Sequence, residues 1–163
     1  QYYYDFISEK NEKVDVEYHS QLMNSSLDEI LEKNIEKDKI LMFTSSGIHR
    51  DDFLFKINTH SLKKSGSQGQ QKTFLIALKF AYFDFLKSKL KVNPILLLDD
   101  IFDKLDHNRL EQIVRILNQN RFGQIFITDT SFDRIDSIMQ KVNNKCRYFM
   151  FDKNGLYEEK LKN

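Results

Sequence analysis

The chain has 163 residues, 40% apolar and 13% aromatic, with 25 Lys and Arg against 24 Asp and Glu for a formal charge of +1. This length and apolar share suit a packed domain, or a large part of one, and exclude a disordered tail. The balanced charge gives no overall basic footprint for nucleic acid, although a locally positive face stays open. The single cysteine, Cys146, excludes an intrachain disulfide, and no Cys/His cluster has zinc spacing. No apolar run approaches the roughly 18–20 residues needed to span a bilayer. A cytoplasmic protein with no membrane partner is expected, and the start at Gln1-Tyr2-Tyr3-Tyr4-Asp5, with neither Met nor a signal-peptide core, fits an excised segment.

In chain order, Tyr2–Ile7 and Val14–His19 have β-rich, alternating composition, and Ser8–Lys13 between them reads as a hairpin loop. Ser26-Leu27-Asp28-Glu29 matches a capping box, and Leu27, Ile30, Leu31 and Ile35 follow at helical spacing, predicting a helix with one buried face. Gly47-Ile48-His49-Arg50-Asp51-Asp52 interrupts that pattern before a strand at Phe53–Ile57. For this polar turn two readings stay open: an Arg–Asp ion pair that fixes the turn, or a face toward nucleotide or DNA. From Lys72 to Leu90, apolar residues fall on nearly every side, which predicts a deeply packed helix.

Pro94 breaks the chain before Ile95–Leu98, a continuous apolar run expected for a parallel strand covered on both faces. Asp106 can N-cap the next helix, where Leu110, Ile113, Val114 and Leu117 form a stripe. A strand at Gln124–Thr128 and a helix at Ser131–Val142 follow, and Arg147–Tyr157 reads as a hairpin turning at Asn154-Gly155. Alternating helices and strands predict an α/β fold with a mainly parallel sheet flanked by helices.

Two stretches carry chemistry. Asp99 and Asp100 are adjacent carboxylates at the C-terminal end of an apolar strand, where like-charge repulsion and desolvation are costly. A bound Mg²⁺ with nucleotide phosphates would remove the conflict, with Asp99 holding the cation and Asp100 orienting or deprotonating the attacking water. The alternative is that Asp99 caps a loop and Asp100 is solvated at the sheet edge. Upstream, Ser67-Gln68-Gly69-Gln70-Gln71 opens the long helix, where free backbone N–H groups and the helix dipole suit phosphate oxygens. An ordinary Ser/Gly-rich cap is the competing reading. No G-x-x-x-x-G-K-[ST] phosphate loop occurs anywhere in the 163 residues.

These motifs, taken in order, resemble the C-terminal half of the RecF family: Ser-Gln-Gly-Gln-Gln-Lys, Pro-Ile-Leu-Leu-Leu-Asp-Asp-Ile-Phe-Asp-Lys-Leu-Asp, then Gln-Ile-Phe-Ile-Thr-Asp-Thr. Gly47–Asp52 is similar to the family's Gly-Pro-His-Arg-Asp-Asp, with Ile48 in place of proline. RecF proteins are bacterial recombination-repair ATPases of the ABC class, related to SMC and Rad50 heads. The resemblance implies a partial ABC-type P-loop head, with residues 1–60 a hairpin and helix ending an inserted lobe and 61–163 the C-terminal part of the core. It further implies that Ser67, Gly69 and Gln70 belong to the signature facing ATP on the opposite subunit. Asp99 matches the magnesium residue, and Asp100 stands where many ABC proteins have a catalytic glutamate. Asp103–Asp106 aligns with the D-loop, which makes Asp106 a nucleotide-side residue, and Thr128-Asp129-Thr130 falls where transporters carry a switch histidine. The implied partners are ATP, Mg²⁺, double-stranded or gapped DNA, a second copy, and recombination mediators. Without a phosphate loop, the chain alone is expected to be inactive. The other readings are an SMC- or Rad50-type head, disfavoured because no sustained heptad precedes Ser67, and a non-enzymatic dimerisation or interaction module.

Overall fold

The computed structural model describes residues 1–9, 12–103, 105–119, 121–142, 145–153 and 155–162. In chain order the elements are α1 (Tyr2–Ser8), β1 (Val14–His19), α2 (Leu27–Leu41), β2 (Asp52–Ile57), β3 (His60–Ser61), α3 (Leu62–Ser65) and α4 (Gln68–Leu90). They continue as β4 (Leu96–Asp99), α5 (His107–Leu117), β5 (Ile125–Thr128), α6 (Phe132–Met139), β6 (Cys146–Asp152) and β7 (Gly155–Lys162). The chain divides into two compact units: Gln1 with Asn11–Ser67, and Tyr2–Lys10 with Gln68–Asn163.

In the first unit, β1 pairs antiparallel with β2 from Val14↔Ile57 to His19↔Asp52, and β2 pairs antiparallel with β3. Asn58 makes the tight β2–β3 turn at φ +53, a left-handed conformation that Asn enters more readily than most residues. Helix α2 starts as its sequence dictates: Glu29 N–H donates to the Ser26 hydroxyl at 3.3 Å, and the Ser26 N–H donates to the Glu29 carboxylate at 3.1 Å. The buried face predicted for α2 is a correction. Only Ile30 is buried, while Leu27, Leu31 and Ile35 are exposed. Leu31, Ile35 and Phe43 line an open groove along the helix, with no element among the described residues of this unit lining its other side.

The second unit is built around α4. Helix α1 packs on it through Tyr3, Tyr4 and Ile7, with the Tyr3 and Phe80 ring centroids 5.4 Å apart and those of Tyr4 and Phe74 6.4 Å apart. The Tyr3 hydroxyl donates to Asp84 Oδ2 at 2.5 Å, the Arg121 Nη2 donates to the same oxygen at 2.7 Å, and the Arg121 guanidinium stacks over the Tyr3 ring at 5.5 Å. Residues Tyr2–Ile7 are therefore helix, not the first strand of a hairpin, and β1 finds its partner in β2 instead. The aromatic composition favours a strand, but placing Tyr3, Tyr4 and Ile7 on one surface against α4 requires helical spacing, and tertiary packing decides.

Strands β4 and β5 are parallel, in register from Leu96↔Ile125 to Asp99↔Thr128. Leu96 and Leu98 are buried, whereas Leu97 is 62% and Ile95 59% exposed, so the strand is covered on one face and not on both as expected. Helix α4 is likewise one-sided: Phe74, Ile76, Ala77, Phe80 and Phe83 are buried, while Leu75, Leu78, Tyr82 and Phe85 face outward. Helix α5 buries Ile113, Val114, Ile116 and Leu117, and α6 buries Ile138 and Met139. Strands β6 and β7 form a separate antiparallel pair with an irregularity at Met150/Phe151, and the predicted turn residue Asn154 lies outside the described residues. The result is a mixed α/β fold with a parallel strand pair flanked by helices. No described helix is long and apolar enough to cross a membrane.

Candidate nucleotide-facing site

The parallel pairing of β4 and β5 brings Asp99 and Asp100 beside Thr128. The Thr128 hydroxyl donates to Asp99 Oδ1. The Asp100 N–H donates to both the Thr128 carbonyl, at 3.1 Å, and the Thr128 Oγ1, at 3.2 Å. One threonine thus fixes both carboxylate residues where the strand ends. Asp100 lies at φ +46, a left-handed conformation that turns the chain sharply away from the sheet, and Asp is among the few residues that adopt it readily. From α4, the Lys72 ammonium donates to the Asp100 carbonyl at 2.6 Å, joining the start of the long helix to the end of β4. Both aspartates are exposed.

Asp129, the next residue after β5, is different: its side chain is fully buried. Its Oδ1 accepts from the Ser131 N–H at 2.8 Å and from Arg134 Nη2 and Nε at 2.7 and 3.2 Å. Among the described residues its Oδ2 has no hydrogen-bond partner. Burial acts to raise the Asp129 carboxyl, but the Arg134 guanidinium and the Ser131 N–H outweigh it and hold the group below the ordinary aspartate value. Arg134 Nη1 also lies 3.6 Å from Asp103 Oδ1 in the loop that follows β4.

Asp106 N-caps α5, as predicted. Its Oδ1 accepts from the Arg109 N–H at 2.9 Å, and its Oδ2 pairs with the buried Arg109 guanidinium at 3.0 Å. Both carboxylate oxygens therefore face Arg109. Ser67, exposed, immediately precedes α4, and Gly69 and Gln70 sit half-buried in its first turn, where backbone N–H groups lack intrahelical acceptors. The boundary between the two units falls between Ser67 and Gln68.

The Gly47–Asp52 turn belongs to the first unit. Gly47 takes φ +124, Ile48–Arg50 form a single 3₁₀ turn, and His49 Nε2 lies 2.9 Å from the Thr44 carbonyl. The Tyr18 hydroxyl donates to Asp51, and the Arg50 guanidinium stacks on the Phe43 ring at 5.6 Å. The Arg–Asp pair that the sequence suggested here is absent among the described residues, because Tyr18 and Phe43 supply the partners.

For Mg²⁺ the donor set is sparse, with no group of three or more His, Cys, Asp or Glu side chains converging among the described residues. That fits a cation which takes one or two protein carboxylates and completes its shell with phosphates and water. From the sequence Lys72 and Arg134 have no role, and Thr128 has only its place in the stretch where transporters carry a switch histidine. Their contacts are legible only once β4, β5 and the start of α4 are brought together, although Lys72 and Thr128 lie inside the quoted motifs.

Over 159 residues the chain is 54% identical to the DNA replication and repair protein RecF of Azobacteroides pseudotrichonymphae, a match covering 98% of this chain and 43% of the relative. The chain belongs to the RecF family. RecF of Bacteroides thetaiotaomicron is 48% identical over 158 residues, covering 97% of this chain and again 43% of the relative. Among solved structures, the recombination mediator protein RecF with ATPrS in the RecFOR pathway aligns with a TM-score of 0.63 and 27% identity, over 88% of this chain and 39% of that one. RecF with ATP in the same pathway aligns with a TM-score of 0.61 and 29% identity, over 79% and 37% of the two chains. No family model matches. The chain spans 43% of the length of these first two curated RecF relatives. The α/β arrangement seen here is thus that of the corresponding part of these solved RecF structures.

Proposed function

We propose that this chain is the C-terminal part of a RecF-type DNA repair ATPase and contributes the second half of its nucleotide site. The observation that carries the reading is the anchoring of the Asp99 carboxylate and the Asp100 backbone by Thr128 at the end of β4, with Lys72 tying the Asp100 carbonyl to α4. Two adjacent exposed aspartates, with the Asp99 carboxylate held by a hydroxyl and the Asp100 backbone held by Thr128 and Lys72, are pre-organised for a cation, which a loosely solvated loop is not. Asp99 would hold the magnesium ion, which neutralises phosphate charge when bound. Asp100 orients the attacking water or accepts its proton. Ser67, Gly69 and Gln70 present α4's N-terminal donors to the ATP of a second copy, and Asp106, locked by Arg109, shapes the loop that crosses between copies.

ATP binding by solved RecF structures supports the nucleotide part of this reading, and the RecFOR naming of those structures supports mediator partners. In the whole protein, ATP-dependent dimerisation would hold double-stranded or gapped DNA and aid recombinase loading at gaps. This chain carries no phosphate-loop motif and is proposed to turn over no ATP by itself. The test is magnesium-dependent phosphate release by the full-length protein and by this 163-residue chain, each with Asp100→Asn. Turnover by the full-length protein alone, lost in the variant, is expected. Turnover by the isolated chain, or a full-length protein indifferent to Asp100→Asn, refutes the assignment.

A further inference from the structure

Arg134 stands at the junction of two loops of the second unit. Its Nη2 and Nε grip Asp129 Oδ1 at 2.7 and 3.2 Å, and its Nη1 reaches Asp103 Oδ1 at 3.6 Å. Asp129 directly follows Thr128, whose hydroxyl and carbonyl hold Asp99 and Asp100. Asp103 lies between Asp100 and Asp106 on the path from β4 to α5. A planar guanidinium with donors pointing in several directions suits a bridge between two carboxylates, and a lysine, with its compact point charge, suits it less.

Two further facts separate this bridge from an ordinary surface ion pair. The Asp129 carboxylate is fully buried, and its Oδ2 finds no hydrogen-bond partner among the described residues. Burying a carboxylate with one oxygen unpartnered costs stability, so this geometry is not the one that stability alone would favour. The carboxylates of Asp129, then Asp103 and Asp100, also keep the Arg134 guanidinium above its ordinary pKa against the opposing effect of burial. The cation is therefore permanently present beside the strand ends.

We infer that Arg134 is a positioning residue of the ATP site: by gripping Asp129 and Asp103 together, it locks the loop that directly follows Thr128 at the end of β5 to the loop after β4, which leads to Asp106. Arg134 itself touches neither substrate nor the attacking water. It sets where Asp100 stands relative to Asp106, so that a displacement of one loop is passed to the other. The inference rests on the ATPase reading proposed above.

The test uses the full-length protein with Arg134→Gln, Arg134→Lys and Asp103→Asn, measuring phosphate release together with amide exchange at Ile101–Asp103 and Asp129–Thr130. Arg134→Gln is expected to lower kcat roughly tenfold, as loss of a supporting group around a metal-phosphate site commonly does, with the KM for ATP unchanged and exchange faster in both loops. Arg134→Lys should recover only part of kcat. Asp103→Asn perturbs the bridge from its more exposed end, and adding Arg134→Gln to it should lower kcat no further than Arg134→Gln alone. Wild-type turnover with Arg134→Gln unchanged in kcat and exchange overturns the inference while leaving the ATPase reading intact, as do effects that multiply in the double variant or a loss confined to KM. A wild-type protein without turnover sinks the ATPase reading and this inference with it.

Discussion

Replacing Asp84 by alanine removes the acceptor that joins three elements: Tyr3 of α1, Asp84 of α4 and Arg121 beyond α5. The carboxylate takes hydrogen bonds at 2.5 and 2.7 Å on one oxygen, and the Asp84 and Arg121 side chains are each a third exposed. A hydrogen bond to a charged group contributes about 1.5–3 kcal/mol when well shielded. Partial exposure lowers the Arg121 share toward the surface-pair value of about 0–1 kcal/mol. The Tyr3 bond keeps most of its worth, since Tyr3 is buried and its hydroxyl would be left without its acceptor. The loss should therefore come to about 2–3 kcal/mol for Asp84→Ala and about 1 kcal/mol for Tyr3→Phe, which removes the donor and leaves the ring stacked on Phe80. With a urea m-value of about 2 kcal/mol/M, Asp84→Ala lowers the unfolding midpoint by about 1–1.5 M, read by circular dichroism. In a double-mutant cycle, Tyr3→Phe with Asp84→Ala should destabilise by less than the sum of the two. Additive effects, or an Asp84→Ala midpoint within error of wild type, would refute the claim that this carboxylate docks α1.

Other outcomes follow from the same structure. Phe80, fully buried between Tyr3 and Phe122, should cost about 3–5 kcal/mol as Phe80→Ala, measured by thermal or urea unfolding. Burial, then the hydrogen bond to Asp84, raises the Tyr3 phenol above its unfolded value, so its contribution is fully present below about pH 10 and is lost as pH rises beyond it. The alkaline limb of a stability–pH curve should accordingly be shallower in Tyr3→Phe. Ser26→Ala breaks the capping box of α2 and should cost about 1 kcal/mol, seen as reduced helix signal and faster amide exchange in the first turn.

The parts of the fold that local chemistry decides were legible in the sequence. The Ser26–Glu29 box, the Asp106 cap and the β4 and β5 runs each formed where spacing and residue type required. Local chemistry misled at Tyr2–Ile7, where three consecutive tyrosines suit a strand and the docking surface of α4 imposes a helix. It misled again for Leu31, Ile35, Leu97 and Tyr82, because an apolar residue announces that a face can be buried and says nothing of what lies over it. At the site, Asp99 and Asp100 stood out because two carboxylates after an apolar strand are electrostatically expensive. Lys72 and Arg134 did not, since a lysine or arginine on a helix is ordinary until its partner, 28 residues away for Lys72 and 31 for Arg134 and Asp103, is brought beside it.

The division of the chain has a consequence for how its length can vary. Tyr3 and Asp84 are 81 residues apart in sequence, and the first unit occupies most of the interval between them. Closing a loop of that span costs configurational entropy that grows only with the logarithm of its length, so doubling the interval adds about 0.6 kcal/mol. The grip of α1 on α4 is thus nearly indifferent to insertions or deletions in the lobe between them. That lobe can be resized while the α1–α4 clasp keeps its strength.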